Sequence, residues 1–386
     1  MAQSSASKTS GRLLSLDVFR GATIAGMMLV NNPGSWGHIY PPFKHAAWHG
    51  WTYTDTVFPF FLWIVGVAMT FSMAKRIEQG ADRNKLMLHV LKRSAAIIAI
   101  GLFLNGFPFG LAFGHNFSFD MMRFPGVLQR IGLCYLIAGT ILLFSSITWQ
   151  IRWTAIFLVG YWLLIRLVPV PGYGAGILEP MGNLAWYIDS TVLAGHTWRG
   201  APVPGFDPEG IISMIPAIAT TMLGILTGYF VRSQRSTEDK TGWMFFWGSI
   251  LILAGLTMDN WLPINKNLWT SSYTVFMAGL SLVVFTCCYW VIDVKGYKRW
   301  TKPFEIYGLN AITMFALSGI IGRLITLIKL TGSDGSVISF KTWYYETFFL
   351  SIGDPMLASF LHSIAFMLGL YLIAYIMYRQ KWVLKV

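Results

Sequence analysis

The chain has 386 residues, of which 55% are apolar and 12% charged, with a mean hydropathy of +0.55 and a net charge of +12. Soluble domains carry about 25% charged residues, so this composition excludes an ordinary water-soluble enzyme. The apolar residues fall in runs long enough to cross a bilayer, which makes the fold class an all-α polytopic membrane protein with the lipid bilayer as its first partner. The basic balance then reads as a topology signal, with no nucleic-acid partner expected.

The polar start, residues 1–12, lacks the layout of a signal peptide, so the first span is expected to stay as a signal anchor. About ten transmembrane helices are predicted, at roughly 14–32, 52–74, 94–113, 125–147, 153–170, 211–231, 242–259, 273–293, 304–328 and 356–378. Of 29 Lys and Arg, four (Arg20, Arg130, Arg166, Arg323) fall inside spans. The rest divide 19 to 6 in favour of the connections that share a side with the N-terminus. That bias sets both termini in the cytoplasm and requires an even span count. Arg166 lies near a span end, where its guanidinium can snorkel. Arg20 follows Asp17 by one helical turn, and Arg130 lies among small and polar residues. Charges at such depths normally face a cavity or a partner.

The first outer connection, residues 33–51, carries His38, Lys44, His45 and His49. It is flanked by Asn31 and Asn32 before it and Asp55 after it, far more polar groups than a plain hairpin needs. The connection 171–210 is long, aromatic and rich in Gly and Pro, with a short helix expected at 183–194, and reads as a lid over the outer face. The connection 260–272 is rich in amides and Trp. Rings that stack on an apolar sugar face, beside amides that bond hydroxyls, suit a polyol ligand. Asp259, Asn260, Lys266, Asn267 and Trp269 are the substrate-binding candidates there, together with Asp55.

By this topology Asn31, His45, Asp55, Arg130, Asp259 and Asn260 share the outer end, and Arg20 the inner end. Histidine suits general-base work at neutral pH, and any of the three loop histidines could supply it. His45 and His49 have a ligand-pair spacing only if they lie on a helix, and Pro42 and Gly50 crowd that stretch, so no metal is expected. The cysteines, Cys134, Cys287 and Cys288, have no metal or disulfide spacing. Serine-elbow and phosphate-loop motifs are missing, which removes support for a serine hydrolase or an ATP-driven pump.

The segments RLLSLDVFRG, LVNNPG, FKHAAWHGWTYTDTVFPFFLWIVG, RFPGVLQRIGLCYL, WYIDSTVLAG, DPEGIISMIPAIATTMLGILTG, PINKNLWTSSY and YGLNAI together resemble the heparan-α-glucosaminide N-acetyltransferase family and its bacterial relatives. That family belongs to the transmembrane acyltransferase superfamily, and the likeness runs through essentially the whole chain, as a single domain over residues 1–386 of the short bacterial type. The resemblance implies an acyltransferase. Acetyl-CoA on the cytoplasmic side, as cosubstrate, gives its acetyl group to the amine of a glucosamine-type acceptor on the far side. It also implies a catalytic role for His45 in FKHAAWHG and for Asn31 in LVNNPG, with a homodimer and a bacterial inner membrane as the setting. His45 can then serve as general base or as acetyl carrier, and Asp55 can orient His45 or bind the sugar amine. Arg20 and Arg130 are the candidates to hold the anionic cosubstrate. The stretch GSWGHIYPP between Asn31 and His45 departs from the lysosomal pattern, which implies a differently shaped acceptor pocket. A second reading is an N-acetylglucosamine transporter, since buried polar groups suit transport too. The lack of an inverted repeat weakens it.

Overall fold

In a computed structural model the described residues are 13–110, 117–331 and 335–384. Lys8, Arg12 and Lys385 of the charge count, and the end of the predicted span 94–113, lie outside them. All ten predicted stretches fall on helices. In chain order these are α1 (Leu14–Asn31), α2 (Tyr53–Glu78), α3 (Arg83–Gly106), α4 (Val127–Phe144), α5 (Ile147–Leu167), the short α6 (Leu184–Val192), α7 (Met214–Arg232), α8 (Thr237–Met258) and α9 (Ser271–Val294). There follow α10 (Lys302–Leu309), α11 (Ala311–Leu327), an antiparallel hairpin of β1 (Lys329–Thr331) and β2 (Val337–Ser339), α12 (Phe340–Phe348) and α13 (Pro355–Arg379). Seven of these helices, α2, α3, α4, α7, α8, α9 and α13, are long and apolar enough to cross a membrane. The pair α10–α11 makes an eighth if counted as one span. Asp17 and Arg20 dilute α1, and Gln150, Arg152 and Arg166 dilute α5.

The predicted span 304–328 is not one rod. It bends by 81° between α10 and α11. At the break Asn310 leaves the helical region, with φ −120° and ψ 40°, and its side chain holds the backbone of the C-terminal tail. Its Nδ2 donates to the Trp382 carbonyl at 3.0 Å, and its Oδ1 accepts from the Leu384 N–H at 3.0 Å.

The bundle closes on small residues, as expected where lipid supplies no hydrophobic drive between helices. A Cβ at Gly66 of α2 would stand 2.0 Å from the Thr221 carbonyl oxygen of α7, and one at Gly224 of α7 2.1 Å from that of Trp63. In α2 72% of the apolar window is buried, against 22% in α8 and 28% in α3 and α13. So α2 runs through the centre, and the other three turn broad apolar faces outward. All three cysteines are free.

The connections form a layer at one end of the bundle. Trp48 Nε1 donates to the Leu178 carbonyl at 2.8 Å, and its ring meets Phe206 edge-on. Phe124 stacks on His196 at 3.8 Å. Arg166 joins the layer with bonds to the carbonyls of Gly176 (3.1 Å) and Trp261 (2.9 Å), a tie between two loops at the span end.

Candidate active site

The site begins with the way α2 starts. Thr52 caps the helix and Asp55 sits at its third position, a capping box in which each satisfies the other's backbone N–H. That geometry turns the Asp55 carboxylate back over the first loop. It is 1% exposed. One oxygen, Oδ2, accepts from the N–H groups of Ala46 and Thr52, each at 3.0 Å, and from the Thr52 hydroxyl at 3.2 Å. The other, Oδ1, stands 2.6 Å from His45 Nδ1. A carboxylate can only accept, so Nδ1 carries a proton, and in the neutral imidazole Nε2 keeps its lone pair. The His45 side chain is 50% exposed, and no other described residue is bonded to Nε2. An oriented base with an open nitrogen results.

The amide-rich connection 259–270 packs onto this loop. Gly50 N–H donates to the Ile264 carbonyl at 2.7 Å and Gly50 bridges to Asn265. Asn265 Nδ2 lies 3.2 Å from His49 Nδ1. The two histidines are thereby parted, His45 to Asp55 and His49 to Asn265, while His38 stands exposed near the Ser35 turn. The same packing sets Lys266 Nζ 3.4 Å from His45 Nδ1. With Nδ1 protonated, the ammonium acts on the negative charge of Asp55. Burial pushes the Lys266 pKa down, and Glu209 and Asp55 pull it back up.

Trp269 lies at positive φ (50°) and is fully buried beneath the site. Its Nε1 donates to Thr220 Oγ1 at 3.1 Å, and its ring meets Phe58 and Tyr273 edge-on. Tyr273 in turn donates to the Asp55 carbonyl at 2.6 Å. Asn267 is half-buried in the turn after Lys266. Asp259 and Asn260 are exposed and shape the same connection. Asp259 Oδ1 accepts from the Ile264 N–H at 2.6 Å, and Asn260 Nδ2 donates to the Thr257 carbonyl at 2.9 Å.

Asn31 is the last residue of α1 and is exposed at the loop end. Its neighbour Asn32 is committed to the helix end, with Nδ2 donating to the Met28 carbonyl at 3.0 Å. Of the two amides, Asn31 is therefore the one left for a ligand. Tyr53 ties this end of α1 to the start of α2, since a Cβ at Gly26 would stand 2.3 Å from its hydroxyl. Arg20 lies at the other end of α1, paired with Asp17 at 3.1 Å. The 11 residues from Arg20 to Asn31 correspond to about 16 Å of helix.

A family model described as "Heparan-alpha-glucosaminide N-acetyltransferase, catalytic" matches residues 12–257, a stretch that holds Asn31, His45 and Asp55. The chain belongs to this family. It is 31% identical over 354 residues to the heparan-alpha-glucosaminide N-acetyltransferase of Homo sapiens, with 79% of this chain and 52% of that protein covered. The Mus musculus protein of the same name is 29% identical over 356 residues, with 80% and 53% covered. The chain thus spans about half the length of the curated relatives it matches.

Within the family segment, charged residues beyond the motif candidates hold the site's floor. Arg123 forks onto Asp207 (Nε–Oδ2 2.8 Å, Nη2–Oδ1 2.6 Å) and also bonds Glu209. Both carboxylates raise its already high pKa further, against the cost of burial. Beside them Arg130, a cosubstrate candidate, is fully buried, with Nη2 on the Ser213 hydroxyl and 3.4 Å from the Gly210 carbonyl. Its guanidinium lies over the Trp269 ring at 5.0 Å. The signal for this floor lies in the segments RFPGVLQR and DPEG, whose opposite charges carry no spacing that pairs them.

Asp189, on α6, is fully buried. Its Oδ1 accepts from the Ile211 N–H at 3.0 Å, and burial pushes its pKa up to about 7. The folded protein then holds a proton that the unfolded chain has released, so stability falls as pH rises from about 4 to 7. Asp189→Asn keeps the acceptor and removes the ionisation. The variant is expected to gain about 1–3 kcal/mol over the wild type at pH 8 and none at pH 4, read as thermal midpoints in detergent at both values.

Proposed function

We propose that the chain is a membrane-embedded N-acetyltransferase that moves an acetyl group from acetyl-CoA to the amine of a glucosamine-type sugar. The observation that carries this reading is the 2.6 Å pair of Asp55 and His45. It lies within the segment matched by a catalytic family model, at the loop end of a bundle rich in membrane-length helices. The acceptor amine attacks the thioester carbonyl carbon. A C–N bond forms, the amine proton passes to His45 Nε2, and the C–S bond breaks as the proton goes on to the leaving sulfur. Asp55 holds His45 in the required tautomer and stabilises the imidazolium. Asn31 donates to the oxyanion of the tetrahedral intermediate. Lys266, beside His45, and Asn267, next in the chain, meet the acceptor, and Asp259, Asn260 and Trp269 shape and support that connection.

The topology belongs to the same proposal. Helices α1, α2, α3, α4, α5, α7, α8, α9, the bent pair α10–α11 and α13 make ten crossings of a bacterial inner membrane with both termini cytoplasmic. The loop layer is then the outer face, residues 33–51 the active-site loop, and residues 171–210 its lid. Acetyl-CoA enters from the inner end, where Arg20 meets its phosphates, and its arm reaches outward along the bundle with Arg130 near its tip. Two copies form the homodimer.

Purified protein given acetyl-CoA and glucosamine is expected to release free thiol, and one thiol should appear per N-acetylglucosamine formed. No thiol above background, with uptake of labelled N-acetylglucosamine into vesicles lacking acetyl-CoA, would replace this reading by the transporter.

A further inference from the structure

The residues just after Asn31 are gripped by the C-terminal helix, α13, which lies beyond the family segment ending at residue 257. Helix α1 ends without a left-handed glycine. Its capping residue Asn32 has φ −130° and ψ 52°. The Asn32 carbonyl is met instead from across the bundle, by His362 Nδ1 at 3.3 Å and the Ser363 hydroxyl at 3.2 Å. Since a carbonyl only accepts, Nδ1 of His362 is the protonated nitrogen. One turn earlier, Ser359 makes a reciprocal pair with Ser35, whose N–H donates to the hydroxyl at 3.0 Å while that hydroxyl lies 3.1 Å from the Ser35 carbonyl. The Gly34 N–H donates to the Ser359 carbonyl at 3.2 Å.

Packing closes the same grip. A Cβ at Gly34 would stand 2.4 Å from the Tyr345 ring and 3.1 Å from His362 Cβ. The His362 ring is held among Tyr344, Tyr345 and Phe349, at centroid distances of 5.7, 6.1 and 5.6 Å. Helix α13 therefore presents a donor of fixed aim to one carbonyl, and that carbonyl lies one residue beyond Asn31.

We propose that Ser359, His362 and Ser363 are positioning residues of the active site: they fix the backbone at residues 32–35 and through it the aim of the Asn31 carboxamide. The inference rests on the reading of Asn31 as the oxyanion donor. An oxyanion donor works only at fixed geometry, and small misplacements are costly in rate.

The test is a double-mutant cycle on the full-length protein in detergent, with acetyl-CoA and glucosamine as substrates. His362→Leu removes the donor. His362→Asn sets an amide N–H where Nδ1 stood. His362→Leu is expected to lower kcat by about 10-fold or more with the KM for acetyl-CoA unchanged, and His362→Asn to restore most of the loss. In an Asn31→Ala background, His362→Leu should cost less than about 2-fold, because the group it aims is gone. Amide exchange at Ser35 is expected to quicken in Ser359→Ala. Equal losses from His362→Leu in both backgrounds, or equal effects of Leu and Asn, would overturn the positioning role alone. Wild-type turnover in Asn31→Ala would instead overturn the reading of Asn31, and the proposal with it.

Discussion

His45→Ala is expected to reduce acetyl transfer by about 10²–10⁴-fold while acetyl-CoA binding is retained, because it removes the proposed general base. The side chain is half-exposed. Because the buried Asp55 Oδ1 loses its partner, a stability loss of about 1–3 kcal/mol is expected beside the loss of turnover. Asp55 Oδ2 keeps its donors from Ala46 and Thr52, and the charge of Lys266 still acts on the carboxylate, so the start of α2 stays capped. Steady-state thiol release and equilibrium binding of acetyl-CoA check the two halves. Loss of binding along with turnover would move His45 from proton transfer to donor recognition.

Asp55→Asn is the second large effect, and it differs in kind. The carboxylate receives donors on both oxygens: His45 on one side, two N–H groups and a hydroxyl on the other. An amide has one acceptor oxygen and one NH₂. If the oxygen faces Ala46 and Thr52, the NH₂ faces His45 Nδ1 and drives the proton to Nε2, which removes the base. If it faces His45, two backbone N–H groups meet another donor and the start of α2 loses its cap. Turnover is expected to fall by about 10²–10⁴-fold, with a stability loss of about 1–3 kcal/mol. Thermal melting beside kinetics separates the two. Adding His45→Ala to the Asp55→Asn variant should cost almost nothing further in rate, since both changes disable one unit.

Much of this arrangement was legible in the chain. Helix positions followed from apolar runs, because a bilayer demands helices of set length. The density of polar groups around residues 31–55 pointed to the stretch proposed as the active site. Asn31 and His45 were singled out by family resemblance rather than by spacing, since three histidines in one loop are equivalent until packing parts them. The pairing of His45 with Asp55 was open in the sequence. It depends on the Thr52 cap, which turns the carboxylate toward the loop and away from solvent. The bend at Asn310 was hidden inside one apolar run, and the tail that its side chain holds, at Trp382 and Leu384, lies more than 70 residues away. Trp269 read as a surface ring suited to stacking, yet its backbone at positive φ tucks the indole under the site, where Thr220 and Arg130 use it. The Arg123–Asp207–Glu209 knot joins residues more than 80 apart, a distance that only the folded loop layer closes.

The central claim is that an acyl donor on the inner side and an amine acceptor on the outer side meet at His45. Sealed proteoliposomes with known orientation test it most directly, with acetyl-CoA confined to the cytoplasmic face and isotope-labelled glucosamine to the opposite face. The account predicts N-acetylglucosamine on the acceptor's side, CoA thiol on the donor's side, and neither product with His45→Ala. Product formed only when donor and acceptor share a face, or equal product from the wild type and His45→Ala, would contradict it.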